Sequence, residues 1–211
     1  MLSSAQVSIV DEGSFTIFEQ GARIGRESFT IRRNRAPSGD VLIANATVEL
    51  GERRLSPALR ADTSGAPLAY QVEVKQGVDV VEKLSGQLGR GRFSARVKTP
   101  AGESAKEYLV SNGAIVLDDD IFHQYYFVAQ GNRSGTVPVV LPRRSTQVMV
   151  RVQAAGQEQV VVGGTPVEGQ HITLTFPDGE RRDVWADTRG RVLKVELERR
   201  KTVALRDEPP H

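Results

Sequence analysis

Cysteine is absent from the 211 residues, so disulfides, zinc–thiolate sites and cysteine nucleophiles are excluded. Histidine is scarce as well. His123, His171 and His211 are the only three, and none stands in a His-Glu-x-x-His or His-x-His arrangement, so no metal site is expected. Long apolar runs are missing too: stretches such as Val137 to Leu141 fall far short of the roughly 20 residues a membrane-spanning helix needs. Nor is there a strong excess of charge. Twenty-eight basic against 26 acidic residues leave +2, too weak a field to draw a polyanion without local clustering, and no nucleic-acid partner is expected. The basic residues are 22 Arg and 6 Lys, spread along the chain as a GC-rich coding sequence would spread them. Met1-Leu2-Ser3-Ser4-Ala5-Gln6 has neither a charged n-region nor an apolar h-region. It reads either as the stub behind a removed secretory leader or as a native start.

What is present is period-two alternation. Tyr70-Gln71-Val72-Glu73-Val74-Lys75 sets apolar groups on one face and polar groups on the other, and similar stretches begin at Phe15, Phe29, Phe93, Ile172 and Leu193. Between them lie turn signals: Asp11-Glu12-Gly13, Ser38-Gly39-Asp40, Ser64-Gly65, Pro100-Ala101-Gly102, Ser111-Asn112-Gly113, Pro177-Asp178-Gly179 and Thr188-Arg189-Gly190. Together they predict a mainly β protein, a long antiparallel meander of about ten to twelve strands whose sequence neighbours pair without crossovers. So many strands cannot stay flat and open, so the sheet is expected to curl strongly or close, as a half-barrel, a barrel or a sandwich.

One helix stands out, over about 119–129, where an Asp-rich start supplies an N-cap ahead of Ile121, Phe122, Tyr125, Tyr126 and Val128. Its apolar residues cover more than one face, which predicts burial against the sheet. Gly131 to Ser145, with two prolines, reads as an extended connection. The chain is accordingly expected to be one β domain over 1–211, with a possible subdivision into an N-terminal meander and helix (1–130) and a C-terminal meander (131–211).

Motifs for chemistry are few. Gly86-Gln87-Leu88-Gly89-Arg90-Gly91 lacks the glycine order of a dinucleotide loop and any following Gly-Lys-Ser/Thr, and reads as a hairpin. Asp118-Asp119-Asp120 lacks the alternating ligands of a calcium loop and reads as helix capping. Neither Gly-x-Ser-x-Gly nor Ser-x-x-Lys occurs in a strand-to-helix setting, so no catalytic residue is named and no cofactor is expected. Arg32-Arg33, Arg53-Arg54, Arg143-Arg144, Arg181-Arg182 and Arg199-Arg200-Lys201 form doublets or longer runs whose convergence sequence cannot reveal. Aromatic residues carry the one functional slant. Phe122, Tyr125, Tyr126 and Phe127 on the helix, with Trp185 on a late strand, suit either an apolar pocket edged by hydrogen-bond donors or plain core packing.

The end of the chain, Val184-Trp185-Ala186-Asp187-Thr188-Arg189-Gly190-Arg191-Val192-Leu193-Lys194-Val195-Glu196 followed by Val203-Ala204-Leu205-Arg206-Asp207, resembles a family of uncharacterised secreted bacterial proteins near the LolA/LolB-like lipoprotein carriers. The resemblance implies a curved antiparallel half-barrel with a concave side closed by helix and loop, in the periplasm or at the outer membrane. In the carriers that concavity receives lipoprotein acyl chains. With the meander and the aromatic helix, the resemblance puts first non-enzymatic binding of an apolar ligand (acyl chain, lipid or lipoprotein), ahead of a structural or protein-interaction module with a filled core that uses sheet edges, and of a hydrolase or isomerase with a dispersed site.

Overall fold

The computed structural model describes residues 6–35, 39–131 and 133–211. Met1 to Ala5 of the leader-remnant reading, and Ser38 of the expected Ser38-Gly39-Asp40 turn, lie outside the described residues. Strands β1 (Gln6–Glu19), β2 (Ala22–Arg35), β3 (Val41–Leu50), β4 (Arg53–Asp62), β5 (Pro67–Gln76), β6 (Asp79–Gly89), β7 (Arg92–Thr99) and β8 (Gly102–Leu109) form one antiparallel meander. A second comprises β10 (Gly135–Leu141), β11 (Thr146–Val162), β12 (Thr165–Thr175), β13 (Arg181–Ala186), β14 (Val192–Leu197) and β15 (Thr202–Arg206), with the two-residue β9 (Ile115–Val116) beside β10. The first and last strands join the two, Phe15 opposite Arg206 through Glu19 opposite Thr202. All fifteen strands therefore make one curved open sheet, with β8 and β9 at its edges.

The alternation behaves as the sequence predicts. In β5, Tyr70, Val72 and Val74 are buried while Gln71 is exposed, and the same alternation puts Phe15, Ile17, Phe29, Ile31, Leu42, Leu55, Leu59, Leu84 and Phe93 on the inner face. The strand count exceeds the expectation because β9 is too short to alternate and β10 lies where a bare proline-containing connection was expected, Gly135–Leu141 forming a strand and Pro142–Arg144 a 3-10 turn. Asp11-Glu12-Gly13 is not a turn either. It lies within β1, beside a bulge at Ile9/Asp11, and Asp11 is buried as the partner of Arg206.

Two connections break the meander rule, and in the first of them β8 and β9, neighbours in sequence, lie at opposite edges of the sheet. In the second, β9 and β10 run parallel, and parallel neighbours require a crossover. Residues 117–131 supply it through the hollow of the curled sheet. Ile121 to Ala129 are all buried there. The expected helix over 119–129 is shorter than predicted: a 3-10 turn at His123–Tyr125 leads into a single turn, α1 (Tyr126–Ala129), with no side-chain cap on either. Asp120 adopts a left-handed backbone conformation (φ 64°), which no helix can propagate, and the Asp carboxylates are engaged elsewhere.

Both ends of the crossover are held. Glu27, fully buried on β2, accepts hydrogen bonds from the backbone N–H of Phe122 (2.6 Å) and His123 (3.0 Å) and contacts His123 Nδ1, while Phe29 stacks on the His123 ring. At the far end Arg133 donates to the carbonyls of Phe127, Gly113 and Ser64. Thus the segment that looked like a helix lying on the sheet is the filling of the sheet.

Candidate functional site

Alternate hairpin turns of each meander gather at one end of the hollow. The turns β1–β2, β3–β4, β10–β11, β12–β13 and β14–β15 meet the start of the crossover there, and between them lies a cleft of about 300 Å3. Its walls bring together Arg53 from β4, Arg143 and Arg144 from the 3-10 turn after β10, Arg182 from β13, and Arg199 and Arg200 from the β14–β15 turn. Four of the arginine runs read from the sequence thus converge, two contributing one member and two contributing two. Strand alternation explains the single members, because neighbours such as Arg181 and Arg182 face opposite sides of the sheet.

Opposite the arginines stand Asp118, Asp119 and Asp120. The expectation that this run caps a helix is corrected here, since each carboxylate is an ion-pair partner. Asp118 accepts from Tyr70 Oη (2.7 Å) and Arg143 Nε (2.8 Å). Asp119 is gripped by Arg144 through Nε (2.7 Å) and Nη2 (2.9 Å), the forked geometry that suits guanidinium and carboxylate. Asp120 joins Arg53 (3.0 Å) and Arg200. Arg182 forks onto Glu180 (3.1 Å to each oxygen), donates to Tyr125 Oη (3.0 Å) and lies 4.1 Å over the Phe176 ring.

Burial sets the electrostatics. It pushes the Asp118 carboxyl up, against the pull of Arg143 and the Tyr70 hydroxyl. Burial, then the Asp118 charge, drive the Tyr70 hydroxyl well above its ordinary value, so Tyr70 remains a proton donor at neutral pH. Desolvation lowers the Arg182 guanidinium, but Tyr125 and Glu180 outweigh it and hold the cation charged. Ile121, Phe122 and Leu197 supply apolar lining beneath this polar rim.

Of the residues singled out by sequence, Phe122 and Tyr125 line the cleft, whereas Tyr126 and Phe127 do not. All four are at most 4% exposed and belong to one continuous core with Phe15, Phe29 and Phe93. Trp185 is not among them. It faces the opposite side of the sheet, in a small cluster with Val160, Val162 and Leu193. There it stacks on His171 (4.4 Å between centroids), lies under Lys194 (4.5 Å) and donates to Glu158 (2.9 Å). The aromatic grouping is therefore two groups, one on each face. Missed by sequence were Glu27, Tyr70 and the converging arginines; the doublets and the Asp run were the visible signals, without their meeting point.

No helix among the described residues is long and apolar enough to cross a membrane. No curated protein matches the chain significantly. Among solved structures, a β-barrel-like protein of the domain of unknown function DUF1849 from Brucella abortus matches with a TM-score of 0.60 and 11% identity, covering 97% of this chain and 98% of that one. At that identity the likeness shows the fold alone. Residues 95–206 match the domain of unknown function DUF6134, a stretch that runs from β7 through the crossover to β15 and carries five of the six cleft arginines. Because the match spans just over half of the sequence, the chain belongs to the DUF6134 family.

Proposed function

We propose that the protein is a non-enzymatic binder of an apolar or amphipathic ligand, an acyl chain, lipid or lipoprotein, taken at the concave side of its curled sheet. The observation that carries this reading is the cleft, which opens at the end of the hollow onto Ile121, Phe122 and Leu197. The resemblance of the Trp185 to Val195 segment to the lipoprotein-carrier superfamily supports it, and with it a periplasmic or outer-membrane-associated location. The crossover limits the depth. Tyr126 and Phe127 already fill the hollow, so an acyl chain enters past Phe122 only as far as the crossover yields. Native mass spectrometry of protein purified from a bacterial host, followed by organic extraction, tests the reading. A stoichiometric adduct containing an acyl chain is the expected result. A bare protein mass, with no rise in melting temperature from any lipid offered, would overturn it.

A second reading, a protein-interaction module with a filled core, is favoured by β8. This edge strand is exposed at every residue except Tyr108, which is half-buried, and it presents unpaired backbone groups to solvent. A solution mass by light scattering equal to the monomer, with no partner protein retained on purification, would remove that reading.

A further inference from the structure

The charges around the cleft are unequal in kind. Asp118, Asp119, Asp120 and Glu180 each have their carboxylate oxygens occupied by guanidinium, hydroxyl or backbone donors at the cleft wall. The arginines are not similarly exhausted. Arg53 reaches Asp120 through Nη1 alone, Arg144 uses Nε and Nη2, and Arg200 uses Nε and Nη1, so each keeps N–H donors to spare. Six arginines face four lining acids. The partners that balance the remainder, Asp178 for Arg199 and Glu19 for Arg200, lie outside the lining and are 49% and 32% exposed, in pairs of the kind that solvent holds weakly.

We infer that the cleft is a receptor for a phosphate group, with Arg53, Arg144, Arg199 and Arg200 as its donors. Guanidinium forks match phosphate oxygens in pairs, remain charged at every working pH, and here come from three separate elements, with Arg53, Arg144 and Arg200 positioned by Asp119 and Asp120 and Arg199 adjacent to Arg200 in the same turn. Phosphate takes the place of Asp178 and Glu19 on Arg199 and Arg200, while the buried Arg143–Asp118 and Arg182–Glu180 pairs stay intact and keep the cleft in shape. The inference rests on the same cleft as the amphipathic-ligand reading and narrows it, because Ile121 and Phe122 would receive the apolar part of a phosphate-headed lipid. A lipid headgroup and a free phosphate share this chemistry.

Isothermal titration of the full chain with inorganic phosphate, dodecyl phosphate and the neutral dodecyl maltoside separates the cases. Dodecyl phosphate is expected to bind, at least tenfold more weakly to Arg144→Gln/Arg199→Gln and unchanged to Arg189→Gln, whose turn lies at the opposite end of β13 and β14. Where the double variant fails to fold, Arg200→Gln replaces it, and the affinity of the unaltered protein must fall as salt is raised. Binding of inorganic phosphate as tight as dodecyl phosphate sustains the inference and removes the amphipathic reading. Dodecyl maltoside binding as tightly as dodecyl phosphate sustains the amphipathic reading and overturns the phosphate receptor. Equal weakening by Arg189→Gln, or no binding of either phosphate, overturns it as well.

Discussion

Arg206 closes the seam between the first and last strands. It donates to both oxygens of the buried Asp11 (3.0 and 2.7 Å) and to the carbonyls of Glu12 and Val192, and a Cβ on Gly13 would stand only 3.0 Å from its Nη2. The neighbouring Asp207 fastens the outer side of the same seam, accepting from Ser14 Oγ and Thr16 Oγ1 (2.6 Å each) and pairing with Arg26 at 3.2 Å. Burial works to raise its carboxyl, but the two hydroxyls and the Arg26 charge outweigh that and hold it below the ordinary carboxylate value. Its folded value thus lies below its unfolded one. The stability it contributes is complete above the unfolded value of about 4 and is lost as pH falls through the folded value. In urea titrations from neutral pH down to about pH 2, the unaltered protein is expected to exceed Asp207→Asn in stability at neutral pH and to converge on it in acid. A gap that stays constant with pH would contradict the assignment.

At the scale of elements, the crossover is the part that strand pairing does not secure. It is held by its ends, and the far end depends on close contact. Gly190, in the β13–β14 turn, has φ 78°, and a Cβ there would meet the backbone of Gln130 at 2.6 Å from Cα and 2.7 Å from N. Gly190→Ala both strains the turn and pushes the crossover inward, and is expected to cost about 2–4 kcal/mol, the sum of a misfit φ and an overpacked contact. Thermal melts of this variant beside Gly179→Ala, which shares a positive φ but has open space around it, separate the two contributions; equal losses would mean that the Gln130 contact carries nothing. The strands were legible because a half-buried strand writes its two faces into alternate residues, as β5 does. The crossover was legible only as a buried segment. Residues enclosed on all sides carry no period, so Ile121 to Ala129 resemble a long helix, and nothing in Asp118-Asp119-Asp120 discloses that Asp120 turns left-handed.

At the scale of the molecule, two meanders share a seam at β1 and β15 and wrap a length of their own chain. Curling follows from strand number and twist, which is why a strongly curled sheet could be read from the strands, while its half-barrel form came only with the family resemblance. The cleft could not. Its arginines are separated by up to 147 positions, from Arg53 to Arg200, and meet only because alternate hairpin turns of a curled sheet fall at one end. Trp185 shows the converse, since a residue on a late strand shares a face with the crossover only if its parity is right, and Val184 rather than Trp185 points inward. That end of the molecule is where the account places ligand binding. The most direct test is a backbone amide NMR titration of nitrogen-labelled protein with dodecyl phosphate. Shifts concentrated at Asp119, Asp120, Phe122, Arg144 and Arg200 are predicted. Shifts confined to β8 or to the Trp185 face, or no saturable shifts at all, would contradict it.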